Sequence, residues 1–145
     1  MTLAPGYRIS LDPGQLQLDV IHGFLTACYW SPGIPRDTVA KAIGHSVCVG
    51  AYTEAGEQVG FARLVTDQAT FAYLADVFVL EAHRGRGLSR AMVQALLDLP
   101  DAQGLRRILL LTRDAHGVYE KLGFERITDP APFMHIHRKD VYRKA

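Results

Sequence analysis

The sequence predicts a mixed α/β domain built on a sheet, and three observations carry that expectation. Three β-rich runs, Ser46 to Thr53, Gln58 to Thr66 and Thr70 to Leu80, follow one another with only short turns between them. The third run passes through a basic, glycine-bearing turn straight into a helical stretch, Leu88 to Leu99. A short strand with an apolar centre, Arg107 to Thr112, comes after that helix, as expected in a sheet interior. The chain has 145 residues, 48% of them hydrophobic and 21% charged, enough for one ordinary core. Residues 1–145 are therefore read as a single domain with its core over about 7–141.

The elements are justified in order. Tyr7 to Ser10 is a short first strand, and Asp12-Pro13-Gly14 is a turn. Leu16 through Trp30 carries Leu18, Ile21, Phe24, Leu25 and Cys28 at helical spacing. Ser31-Pro32-Gly33-Ile34-Pro35 cannot continue a helix, and Pro35 opens a second one, Arg36 to Ile43, closed by Gly44. Glu54 to Glu57 and Asp67 to Ala69 are hairpin turns within the three-strand run. The helix from Leu88 puts Leu88, Met92, Ala95, Leu96 and Leu99 on one face and is stopped by Pro100. Ala115 to Leu122 is a short helix with Gly123 at its C-terminal cap. Phe124 to Thr128 and Phe133 to Arg138 read as the last two strands, giving the order β-α-α-β-β-β-α-β-α-β-β.

A formal net charge of +1 argues against overall attraction to nucleic acid or an acidic membrane. No apolar run approaches the roughly 20 residues of a membrane span, and no signal peptide is expected, so the expected location is cytoplasmic. Cys28 and Cys48 lie in apolar contexts without metal-type spacing and read as reduced, packed thiols. His135 and His137 share a strand face, but no third ligand has matching spacing, and no metal is expected.

Chemistry concentrates at Val79-Leu80-Glu81-Ala82-His83-Arg84-Gly85-Arg86-Gly87-Leu88-Ser89. A strand, a glycine turn and a helix start form a concave row of backbone N–H groups at the positive end of a helix dipole, which favours an anion such as a phosphate. Gly85 and Gly87 permit backbone conformations that a Cβ resists, and Arg84 and Arg86 add positive charge. Turn chemistry alone is equally compatible with an ordinary exposed Arg-Gly turn, or with RNA binding. The near-neutral charge speaks against RNA.

Arg84-Gly85-Arg86-Gly87-Leu88-Ser89, with Val79 five residues before the arginine, resembles the acetyl-CoA signature of the GCN5-related N-acetyltransferases (GNAT). Ala115-His116-Gly117-Val118-Tyr119-Glu120-Lys121-Leu122-Gly123-Phe124 resembles the second motif of the same family, in the family's order. Ser89 stands where Gly or Ala is usual, and Thr112 where Asn is common. The resemblance implies the GNAT fold, with fourth and fifth strands that splay apart. It implies acetyl-CoA as cosubstrate, its pantetheine paired with Val77, Phe78 and Val79 and its diphosphate on the turn from Arg84 to Ser89. Thr112 and Ala115 would complete the cofactor contacts.

Acetyl transfer from a thioester to an amine needs a proton removed from the amine, a donor for the oxyanion and a proton for the departing thiolate. The family pattern implies Tyr119 as the acid that protonates the thiolate and a backbone N–H near Val79 as the oxyanion donor. Without the motif, Tyr119 would be an amphipathic-helix residue packed under the sheet. Asp76, a carboxylate between Ala75 and Val77 in an apolar strand, is the candidate base. It reads equally as a solvent-facing group or a binder of a cationic substrate. Arg63, Asp67 and Tyr73 could line the same cleft. Tyr29 and Trp30 border the expected acceptor pocket as a lid or cage, or else pack on the core.

The expected activity is acetylation of a primary amine, on a small or amino-acid-like molecule, by direct attack. The alternative is a non-catalytic acyl-CoA sensor. The late strands, at His135-Ile136-His137, could also pair with a second copy in a homodimer.

Overall fold

The computed structural model describes residues 3–143. The three β-rich runs form a meander: β2 (Val47–Thr53), β3 (Gln58–Thr66) and β4 (Phe71–Val79), with β1 (Tyr7–Ser10) outside β2 and β5 (Arg107–Leu110) outside β4. Sheet order is β1-β2-β3-β4-β5; the first four strands are antiparallel, and β5 lies parallel to β4. Parallel pairing needs a crossover, and α3 (Leu88–Leu97) supplies it.

Strand alternation sorts the core into two layers. Val49, Ala51, Ala62, Leu64, Ala72 and Leu74 face α3, which buries Leu88, Met92, Val93 and Leu96 against them. Cys48, Phe61 and Phe78 face the opposite way and pack on α1 (Leu18–Leu25) and α2 (Arg36–Gly44) through Ile21, Leu25 and Val39. Burying one such side chain contributes about 1.5–3 kcal/mol.

The turns are fixed locally. Thr53 and Glu57 close the first hairpin (Thr53 N–H to Glu57 C=O, 2.9 Å), with Gly56 at φ +88°. Asp67 lies in the second turn rather than the cleft. Its carboxylate accepts from the amides of Ala69, Thr70 and Phe71 and from the Thr70 hydroxyl. Those donors hold its pKa well below the ordinary carboxylate value.

Several boundaries differ from the periodicity. The first helix stops at Leu25, not Trp30, because Ser31 Oγ bonds the Leu25 carbonyl (2.8 Å) and the Gly33 amide bonds that of Thr26 (2.9 Å). The loop thereby satisfies helix-end carbonyls itself. The helix after Gly87 ends at Leu97 and gives way to a 3-10 turn, Pro100–Gly104. The fifth strand ends at Leu110, and the helix expected over 115–122 is α4, His116–Glu120.

The last two expected strands do not form. Among the described residues, 124–128 and 133–138 join no ladder, and Met134 and Ile136 are 95% and 81% exposed. Pro130 and Pro132 lie between them and donate no hydrogen bonds. Asp129 accepts from the Ala131 amide (3.1 Å) to make a turn instead. The sheet therefore ends at β5, beside an open cleft of about 830 Å³ lined by β5, Tyr119 and Phe124. The chain then returns to place Tyr142 against the α1–α2 core layer.

Tyr52 is fully buried, its hydroxyl has no partner, and its ring lies back over Gly50. A Cβ at Gly50 would lie 2.7 Å from Tyr52 Cζ, closer than packed atoms approach. Gly50→Ala is expected to cost about 2–3 kcal/mol, while Tyr52→Phe, which removes an unsatisfied group, leaves stability unchanged or raises it. Thermal unfolding checks both: a Tm lowered by roughly 6–9 °C for the first variant, and no loss for the second.

Candidate active site

The site begins at an irregularity in β4. Phe61 pairs with Phe78 and Arg63 with Ala75, so Ala62 stands opposite both Asp76 and Val77. Two residues facing one is a β-bulge, and it bends the strand. Asp76 takes φ +56°, a left-handed conformation that few residue types other than glycine tolerate, Asp among them. Pairing between β4 and β5 runs only from Phe71–Arg107 to Leu74–Leu110. Beyond that point β4 continues to Val79 without β5 beside it, which opens the splay expected between these strands.

The Asp76 side chain explains why the bulge persists. Its Oδ1 accepts from Trp30 Nε1 (2.9 Å) and its Oδ2 from Arg63 Nε (2.8 Å). Arg63 Nη1 donates to Ser46 Oγ (3.0 Å), and Ser46 Oγ to the Ala42 carbonyl (2.7 Å). The pair is largely enclosed, with the Arg63 and Asp76 side chains 18% and 12% exposed. One carboxylate thus ties the end of α2, strand β3, the bulge and the loop after α1 together. A base in waiting would present a free oxygen; each oxygen of Asp76 already holds a donor. Tyr73 lies near this pair. Burial raises its pKa, the Asp76 charge raises it further, and Arg63 works the other way. Cys48, on the same face, is raised to about 11 chiefly by burial, so it stays a thiol and no nucleophile.

The Trp30 loop carries an aromatic shelf. Phe24 stacks on Phe78 at 4.1 Å, Trp30 leans on Phe24 at 5.9 Å, and Tyr29 meets Trp30 edge-on at 5.1 Å. Trp30 is 40% and Tyr29 56% exposed, so these rings border the cleft rather than fill the core. Arg113, from the segment after β5, lies with Cζ 3.9 Å from the Tyr29 ring centre. Sequence reading missed Arg113, because nothing local links it to Tyr29.

Past the splay, the glycine turn has the shape its composition predicts. Gly85 and Gly87 take φ +80° and +73°, and Gly87 caps α3 without a side-chain bond. Among the described residues no protein group accepts from the amides of Gly85 through Arg90, so a row of donors is left at the helix start. Their number and direction suit a diphosphate, and the unpaired β4 edge suits an extended amide-bearing chain, so acetyl-CoA fits the residues present. The arginines act partly on the turn itself. Arg84 Nε donates to the Val79 carbonyl (2.9 Å) and Arg86 Nη1 to that of Ala82 (3.0 Å), which stiffens the loop. Sequence reading also missed Arg90, whose Nε is buried without a partner. A basic residue in a first helical turn opposes the dipole, and that mismatch was the available signal.

Tyr119 lies on α4, its ring edge-on to Phe124 at 5.8 Å. Burial raises its pKa above the ordinary phenol value and nearby Tyr29 raises it further, so it carries its proton at neutral pH. Gly123, at φ +99°, lets the chain turn back so that the Phe124 amide reaches the Tyr119 carbonyl (3.1 Å). Thr112 has a use of its own: its hydroxyl accepts the Ala115 amide (3.0 Å) and shapes the entry to α4. That bond takes the Ala115 N–H away from any cosubstrate. Among the described residues no three His, Cys, Asp or Glu side chains gather as a metal site, and no helix is long and apolar enough to cross a membrane.

The comparisons with known proteins agree with this geometry. The model of the acetyltransferase (GNAT) family matches residues 17–124. A Gibberella zeae relative bearing an acetyltransferase name is 36% identical over 79% of this chain and 76% of its own length. A rice serotonin N-acetyltransferase is 32% identical over 83% of this chain, which spans 64% of that enzyme. A crystal structure from Xanthomonas campestris, described as belonging to the GNAT family, superposes with a TM-score of 0.91 at 44% identity, covering 97% of this chain and 99% of the other. The chain belongs to the GNAT acetyltransferase family and has its fold, which carries acetyl-CoA-dependent transfer to an amine.

Proposed function

We propose that the chain transfers the acetyl group of acetyl-CoA to a primary amine on a small, amino-acid-like molecule by direct attack, with Tyr119 as general acid. The observation that carries this reading is the juxtaposition at the splay. An unpaired strand edge, a row of free amides and a protonated phenol border one opening. Val77 to Val79 would hold the pantetheine arm along the β4 edge, and the amides of Gly85 to Arg90 the diphosphate, with Arg90 nearby. Acetyl-CoA supplies an activated acetyl group; this chain supplies position and protons. Tyr119 delivers the proton at its phenol oxygen. Asp76, its oxygens already engaged, positions Trp30 and the bulge, and Arg63 holds Asp76 in turn. Tyr29, Trp30 and Tyr73 face the acceptor. Neither thiol enters, since Cys48 is buried and Cys28 Sγ is bonded to the Leu25 carbonyl (3.2 Å).

The test is coenzyme A release, with mass-spectrometric detection of the acetylated product, over a panel of amines and amino acids. The expected result is amine-dependent release matched by product for at least one member. Tight acetyl-CoA binding with no turnover of any amine would favour the non-catalytic sensor. Absence of acetyl-CoA binding would overturn both readings.

A further inference from the structure

We propose that the acceptor amine carries a second, anionic group, a carboxylate or a phosphate, and that Arg113 holds it; this rests on the amine-acetyltransferase reading above. The guanidinium of Arg113 lies on the Tyr29 ring, 3.9 Å from its centre, joining the segment after β5 to the loop after α1 at the mouth of the splay. Tyr29 in turn lies close enough to Tyr119 to raise its pKa. The cation therefore sits within the reach of a small molecule from the phenol.

A stacked guanidinium is covered on one face, and its N–H donors remain in the plane, where they suit a carboxylate or phosphate in a two-bond fork. Nothing on the protein occupies that fork. Among the described residues every ion pair uses another cation: Arg63 is held by Asp76, Arg36 by Asp19, Arg126 by Glu120 and Arg143 by Asp140. Inside the cleft Arg63 and Asp76 offset each other, which leaves Arg113 as uncompensated positive charge at the rim. A plain ammonium entering there meets repulsion, whereas an amine with an anionic tail gains a partner. Tyr29 and Trp30 would form an aromatic cage for a cation only if Arg113 did not already cover Tyr29.

The experiment compares matched acceptors: an α-amino acid with its methyl ester, and phosphoethanolamine with ethanolamine. Each is tested with the wild type, Arg113→Gln and Arg113→Lys. The expected result is a kcat/KM at least tenfold higher for the anionic member of one pair, although the ester has the less basic amine. The favoured pair identifies carboxylate or phosphate. In Arg113→Gln that preference disappears through a raised acceptor KM, while the KM for acetyl-CoA and the turnover of the neutral member stay within twofold. Arg113→Lys restores part of it. Equal use of both members by the wild type, or a preference that survives Arg113→Gln, would overturn the inference and leave the acetyltransferase reading standing. No turnover of any amine would overturn both.

Discussion

Tyr119→Phe is expected to lower kcat by about 100-fold or more while changing the KM for acetyl-CoA less than twofold. Loss of a general acid typically costs 10²–10⁴ in rate, and the phenol oxygen is the only atom the substitution removes. The fold should survive, because the ring's edge-on contact with Phe124 and the backbone bond from Phe124 do not use the hydroxyl. The pH profile gives a second readout. Burial and Tyr29 raise the Tyr119 pKa above 10, so its acid form is full at neutral pH and is lost only as the pH climbs through that raised value. Wild-type kcat should therefore rise with pH as the acceptor amine loses its proton, and show no tyrosine-dependent fall below pH 10. Steady-state kinetics over pH 6–10 check both statements. An unchanged kcat in the variant would remove Tyr119 from the chemistry.

What was legible in the sequence was whatever is local along the chain. The turn from Arg84 to Ser89 is contiguous, so its composition announced both the left-handed glycines and the open amides at the start of α3. The meander was legible because each hairpin turn carries its own closing bonds. Asp76 was legible as an anomaly, a carboxylate in an apolar strand, but not as a partner, since Trp30 lies 46 residues away. Arg113 gave no signal at all: its meaning comes from a ring on a distant loop. The late segments were misread because alternation over a few residues says nothing about whether a neighbouring strand is available. The prolines at 130 and 132 were the contrary evidence. Local chemistry is written in order along the chain, whereas pairing across the sheet and across the cleft is decided by topology.

Asp76→Asn tests the distant part of that arrangement, and its expected effect is on both stability and rate. The carboxylate accepts from two donors that converge on it from different elements, Trp30 Nε1 and Arg63 Nε. An amide has one oxygen and one NH₂, so one donor would face another donor, and the Arg63 charge would lose its counter-ion in a largely enclosed place. Breaking a fully buried pair costs 3–5 kcal/mol; allowing for partial exposure, about 2–3 kcal/mol is expected here, a fall in Tm of roughly 6–9 °C. If Asp76 serves as a positioning residue, the rate loss should come with a changed Trp30: a shifted fluorescence maximum and a raised acceptor KM, while the pH dependence of kcat keeps its wild-type shape. If Asp76 were instead the base, the variant would keep the wild-type Trp30 spectrum and acceptor KM, and lose the pH-dependent limb of kcat. The geometry favours the first outcome, because a group bound through both oxygens to the parts that shape a cleft is placed to hold that cleft open.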